Sequence, residues 1–305
     1  MKINERASAT LEQLRQGVAP FPRRIVCLTE ETTETLYLLG EGERVVGISG
    51  YTVRPPEARA KPKVSAFVSA RYDKILELRP DLVFAFSDMQ ADVVAELIRR
   101  GVTVFTFNQR SLREILEMVL TVARIVGAEA KGLALVESLE GELEDVARSA
   151  ARFPRRPRIF FEEWNDPLIS GIQWVDELME VAGGEPTFPE LRGGKAAKER
   201  IVKPVDVVAR DPEVIVASWC GRKVSKSSIG SRPGWSAVAA VGAGRVYEIA
   251  SAYILQPGPA ALTEGLRQLH AILAGTVGLE VEPRLAPKER VDKDLLKKAE
   301  NDGPR

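Results

Sequence analysis

The chain has 305 residues, 45% of them apolar, and its 43 Lys and Arg balance 43 Asp and Glu. That length makes about two globular units, which excludes a small stapled scaffold or a disordered chain. Zero net charge gives no general attraction for a polyanion, so no nucleic-acid partner is expected, and Cys27 and Cys220 are too few for a disulfide framework.

The opening stretch from Met1 to Arg15 carries charges every few positions and no apolar run of the length an export signal needs, so the chain as written is expected to stay in the cytoplasm. No later stretch reaches the roughly 20 apolar residues of a membrane span. The first strand is predicted at Arg24–Leu28, a helix over Thr32–Leu39 and a second strand at Val45–Ile48. A helix over Tyr72–Leu78, stopped by Pro80, leads into a strand at Asp81–Phe86. Helix 91–100, strand Val102–Phe107 and helix 111–126 follow. Strands alternating with helices imply parallel pairing.

From Glu129 to Arg152, Leu133, Val136, Leu139, Leu143, Val146 and Ala150 recur every three or four residues, which predicts one long amphipathic helix ended by Pro154 and Pro157. The pattern then restarts. Arg158–Phe161 echoes the first strand, and a helix over 174–182 ends in Gly183-Gly184. The segment from Asp73 through Pro80 to Val83 echoes Asp206 through Pro212 to Val216, with the two prolines 132 positions apart. Gly244–Ile249 is the last predicted strand and Pro259–Leu273 the last helix. The chain divides into an amino-terminal extension (1–22), a first lobe (23–127), an interlobe helix (128–153), a second lobe (154–275) and a tail (276–305). The tail's charge and proline content predict mobility.

Two α/β lobes joined by one long helix, each with a helix, then x-Pro-[Asp/Glu], then an apolar strand, resemble the class III substrate-binding proteins of ABC importers for cobalamin, ferric siderophores and haem. The local matches are Ile75–Val83, Leu178–Gly184, and Pro233–Val238 with Gly244–Tyr247. The similarity runs over roughly Arg23–Leu273 and is greatest to the cobalamin-binding branch. It implies two Rossmann-like lobes with parallel sheets, and a monomer that captures cobalamin or another metal chelate in the interlobe cleft. The chelate would be a transported ligand rather than a prosthetic group, and the partner an ABC permease dimer. The family is usually periplasmic or tethered outside the cell. No catalytic residue and no metal site is expected. A second reading, prompted by the missing leader, is a cytoplasmic protein or enzyme that handles a corrinoid or tetrapyrrole.

Such a scaffold binds where the carboxyl ends of parallel strands face each other. The corresponding loops contain Glu30-Glu31, Gly50-Tyr51, Phe67 and Phe86-Ser87-Asp88 in the first lobe, and Glu163-Trp164-Asn165, Trp219-Cys220 and Ala252-Tyr253 in the second. A chelate ring is broad and flat, so Tyr51, Phe67, Phe86, Trp164, Trp219 and Tyr253 are the candidate stacking residues. Trp174 and Trp235, on or near helical patterns, are assigned to the core, and His270 on the last helix to a helix-surface or packing role; Cys220 has no nearby second thiol or imidazole to share a metal. Gly193-Gly194-Lys195 lacks the spacing of a phosphate-cradling loop. Asp73 and Asp206 fall in first helical turns, where an acid offsets the helix dipole. The resemblance implies a further role for them in meeting arginines of the importer, although the aligned second-lobe position is Val205, about 100° around the helix from Asp206.

Overall fold

A computed structural model describes residues 19–288, together with Ala7, Ser8 and Glu12. The first lobe contains strands β1 (Ile25–Cys27), β2 (Val45–Ser49), β3 (Lys63–Ala66), β4 (Ser69–Ala70), β5 (Leu82–Phe86) and β6 (Val104–Phe107). Its helices are α1 (Glu30–Leu38), α2 (Tyr72–Glu77), α3 (Ala91–Arg99) and α4 (Leu112–Ile125). The strands lie in the order β4-β3-β2-β1-β5-β6, parallel except for the terminal β3–β4 pair. Both sheet faces are covered, which is why these strands are apolar on successive residues rather than alternating with polar ones. Ile25, Cys27, Leu82, Phe84 and Phe86 belong to one core. Val26, Leu28, Val83 and Ala85 belong to another, with Ile75, Val93 and Leu97 of the flanking helices.

Helix α5 (Glu129–Ala150) crosses to the second lobe; its 22 residues span about 33 Å at 1.5 Å each. The second lobe then builds β7 (Arg158–Asn165), β8 (Leu168–Ser170), β9 (Glu185–Pro186), β10 (Val214–Ala217) and β11 (Val246–Glu248). Its helices are α6 (Gln173–Val181), α7 (Pro204–Arg210), α8 (Lys226–Gly230), α9 (Ala239–Gly242), α10 (Ser251–Ile254) and α11 (Leu266–Thr276), the last preceded by a π-helical turn at Ala261–Gly265. The sheet runs β11-β10-β7-β8, with β9 also on β7. β8 pairs antiparallel with the end of β7, so this sheet is not wholly parallel.

Most predicted elements start and stop within two residues of the observed ones, but β7 runs four residues past its predicted end. The predicted stripe on α5 is only partly buried. Leu139 and Val146 are inside, whereas Leu133 is 53% exposed and Gly132 and Ser149 take the inward positions. The tail also departs from expectation. Up to Lys288 it is strapped to the body: Leu285 is buried, Arg284 pairs with Asp145 at 2.6 Å, Glu282 with Arg152 at 2.8 Å, and the Lys288 N–H donates to Glu264 at 3.0 Å. Residues 289–305, and most of the amino-terminal extension, lie outside the described residues.

Candidate functional site

The carboxyl ends of the strands in the two lobes meet along one seam. Gln109, after β6, donates through Nε2 to the Pro257 carbonyl at 3.0 Å. The Ala260 N–H donates to Glu34 of α1 at 3.1 Å, and the Leu112 N–H, opening α4, to Glu177 of α6 at 2.7 Å. Gly258 is needed here: a Cβ at that position would lie 2.5 Å from that of Glu31. Tyr51 reaches across to Gly221, where an added Cβ would lie 3.5 Å from the ring.

Among the predicted stacking residues, Tyr51 is 46% exposed, and Trp164 and Tyr253 are half-buried at the seam. The other three are packed into or against hydrophobic cores. Trp219 is 3% exposed in the core of the second lobe, its indole N–H donating to Glu162 at 3.2 Å. Phe86 is 5% exposed and belongs with Phe84 and Phe107 to a core that also holds residues of the second lobe, and Phe67 packs half-buried against that core. In this closed form Trp219 and Phe86 are buried and Phe67 is half-buried, since an apolar ring at a strand end gains by burying its area against neighbours. Arginines that sequence patterning did not single out cover several of these rings. Arg222 lies 5.4 Å from the Trp164 ring and 5.8 Å from that of Trp219, Arg54 lies 5.5 Å from Tyr253, and Arg110 lies 5.0 Å from Phe86. All are within cation–π range. Since each lies in a loop, no periodicity marked it.

The seam's polar content is unusual because so much of it is unpaired. Among the described residues, Glu30 Oε2, Glu31 Oε2, Thr52 Oγ1, Gln109 Oε1, Arg110 Nε, Asn165 Oδ1 and Ser218 Oγ are buried without a hydrogen-bond partner. They sit at or just past the ends of β1, β2, β6, β7 and β10. Buried polar atoms are normally satisfied, so a set of this kind at converging strand ends singles this seam out as the candidate site. Glu30 accepts from Ser49 at 3.4 Å and Glu31 from Thr29 at 2.6 Å. Burial pushes the Glu30 carboxyl up to about 7; burial, with Glu30's charge added, pushes Glu31 up to about 8.

Other buried charges hold the second-lobe loops. Glu162, fully buried, is clamped by Arg232 at 2.6 and 2.9 Å. Arg200 binds Glu163 and the Ser170 carbonyl, tying the β8 strand to the loop before α7. Arg110 and Glu114 of the first lobe and Gln173, Arg192 and Lys195 of the second line a polar interlobe cavity of about 160 Å³. His270 Nδ1–H donates to the Ala182 carbonyl at 3.0 Å, Nε2 accepts from the Ser149 hydroxyl at 2.9 Å, and the ring stacks on Phe153, so this histidine packs inside the fold. Trp174 and Trp235 are core residues too. Both cysteines are free, and no group of three metal-ligating side chains occurs among the described residues. No helix among the described residues is long and apolar enough to cross a membrane.

Asp73, in the first turn of α2, is 94% exposed and pairs with Arg100 at 3.0 Å. Arg59, Lys61, Lys63, Arg71 and Lys74 line a depression beside it. Asp206 is exposed on α7, and Val205 next to it is 65% exposed.

A family model described as periplasmic binding protein matches residues 25–253. The chain is 29% identical over 258 residues to an uncharacterised ABC transporter substrate-binding lipoprotein, YvrC, of Bacillus subtilis, covering 81% of this chain and 79% of that protein. It is 26% identical over 198 residues to the vitamin B12-binding protein of Vibrio parahaemolyticus, covering 64% and 70%. The periplasmic haem-binding protein RhuT of Roseiflexus sp. RS-1 shares the fold, with a TM-score of 0.71 at 23% identity over 84% of this chain and 99% of that one. With its two lobes, single crossing helix and seam of converging strand ends, the chain belongs to the periplasmic binding protein family.

Proposed function

We propose that this protein captures a metal chelate of the cobalamin type between its lobes and hands it to an ABC importer. The observation that carries the reading is the set of buried, partnerless polar atoms at the strand ends of both lobes. Closed on itself, the seam leaves these groups unsatisfied; a ligand with a polar fringe would supply their partners. Tyr51, Trp164 and Tyr253 keep ring area at the seam for a flat macrocycle. The vitamin B12-binding relative favours a corrinoid, and the lipoprotein relative favours an importer and a position on the outer face of a membrane. The seam is tightly joined, so the ligand enters by a limited separation of the lobes.

Titration of purified protein with cyanocobalamin, haem and a ferric siderophore, followed by absorbance or heat, tests the reading. Binding of at least one at micromolar concentration is expected, with the ligand recovered unchanged; no binding of any would overturn it. The importer contact proposed is through the lobe tips carrying Asp73 and Asp206. Asp73→Lys should then weaken binding to the cognate permease in detergent while leaving ligand affinity unchanged, because it replaces attraction to an arginine with repulsion.

A further inference from the structure

Two adjacent acids open α1 at the floor of the seam without a counter-charge. Glu30 and Glu31 are 6% and 1% exposed, and one oxygen of each has no partner among the described residues. The charged and titratable groups around them do not neutralise them. From β1, Cys27 faces Glu31. On α1, Glu34 already holds Arg54 at 3.0 Å. From the second lobe, Cys220 lies within the influence of both Glu30 and Glu163, and Glu163 is bound by Arg200. A hydroxyl from each lobe, Thr52 Oγ1 and Ser218 Oγ, 2% and 1% exposed by residue, is likewise unpartnered. The two acids thus lie at the joint that must part for a ligand to enter, with no cation or N–H on their free oxygens among the described residues, beside two hydroxyls that can donate or accept.

We propose that Glu30 and Glu31 set the specificity of the cleft: they select a chelate whose rim presents hydrogen-bond donors, such as the amide N–H groups of a corrinoid, over one whose rim is carboxylate, such as a porphyrin bearing propionates. This rests on the cleft being the chelate site proposed above. An ionised carboxylate is acceptor-only, so amide N–H groups satisfy it. A second carboxylate brought to the same desolvated place adds like-charge repulsion that neither side can relieve without taking up a proton. The raised pKa values of the two acids put that choice in the neutral range. A donor-bearing ligand favours the ionised acids, so its binding releases protons and strengthens as pH rises through about 7 to 8. A carboxylate-rimmed ligand favours the protonated acids and weakens over the same interval.

The test uses the full-length protein, its Glu30→Gln/Glu31→Gln variant, and two probes: cyanocobalamin for the amide rim and haem for the carboxylate rim. At pH 8.5 the wild type should bind cyanocobalamin at least about tenfold more tightly than haem. The preference should shrink at pH 6 and in the variant, and calorimetry in buffers of different ionisation heat should read proton release with cyanocobalamin at pH 7. Equal affinities at pH 8.5, or a preference that neither pH nor the variant changes, would overturn the inference. Binding of haem or a ferric siderophore but not cyanocobalamin would overturn it while leaving the chelate-binding reading intact; binding of no chelate would remove both. If the variant does not fold, the comparison of pH 6 with pH 8.5 in the wild type decides alone.

Discussion

Trp164 and Trp219 stand at or just past the ends of neighbouring strands and look alike in sequence, yet they should answer truncation differently. Trp164 is half-buried at the seam with Arg222 over its ring, so Trp164→Ala should weaken chelate binding by roughly thirtyfold, the loss expected for a well-packed aromatic contact. Trp219 is 3% exposed and packed with Phe160, Ile215 and Trp235. Trp219→Ala should therefore act first on stability, by about 3 kcal/mol or more, from lost burial and the cavity left behind. It would also strand a lone pair of Glu162, which the indole N–H now satisfies. Paired ligand titrations and urea unfolding curves check both; the reverse ranking would move Trp219 back to the cleft.

At the scale of elements, the α4–α5 contact depends on a missing side chain. Gly132 faces Ala123 so closely that an added Cβ would lie 2.3 Å from the alanine Cβ. Neither atom is the end of a flexible chain, so the helices would have to separate. Gly132→Ala should destabilise by about 1 to 3 kcal/mol despite alanine's advantage of ~1 kcal/mol in a helix. Gly141, on the same helix, has nothing within 4 Å of an added Cβ. Gly141→Ala should stabilise by roughly 0.5 to 1 kcal/mol. Denaturant unfolding of the two variants should thus move in opposite directions, and a shift of the same sign would contradict the close approach. The tight contact also explains the stripe on α5: with Gly132 inward, Leu133 is carried out to solvent.

Across the whole molecule, one core joins the lobes. Ile25 and Phe84 of the first sheet, Ile159 and Val216 of the second, Leu139 and Val146 of α5, and Leu269 and Leu273 of α11 belong to the same cluster. Large hinge motion would break that cluster, so opening of the seam should be small. The buried carboxyls make the folded, closed form pH-sensitive. Glu30, Glu31 and Asp176 are raised by burial to about 7, 8 and 7, against roughly 4 in an unfolded chain. Raised folded values mean that the folded state holds the protons. Their stabilising share is complete below about pH 4 and is lost as pH rises through 7 to 8. His270, held below its usual value by burial, works the other way: stability falls as pH drops below about 6.5 and the unfolded chain takes up a proton. The melting temperature should decline from pH 6.5 to about 8 and level off above it, and Glu30→Gln/Glu31→Gln should flatten that limb. A wild-type profile level over this range would show that the acids are not buried in solution.

Periodicity, the prolines after α2 and α7 and the restart at Arg158 were enough for two α/β lobes around one long helix. These are local properties: a run of apolar residues covered on both faces, or a residue before proline, carries the same preference wherever it lies. The short strands β4, β8 and β9, of two or three residues, have too little pattern of their own and exist through their partners. The site divides along the same line. Its loops were legible because strand ends in such a fold must face one another, and Glu30-Glu31, Tyr51 and Trp164 all lie there. Which rings turn inward, which arginines cover them and which carboxyls lose their water depend on neighbours brought from 20 to more than 200 positions away, such as Arg54 on Glu34 and Ala260 on the same acid. Burial and pairing are properties of that assembled surround, so tertiary structure alone decided them.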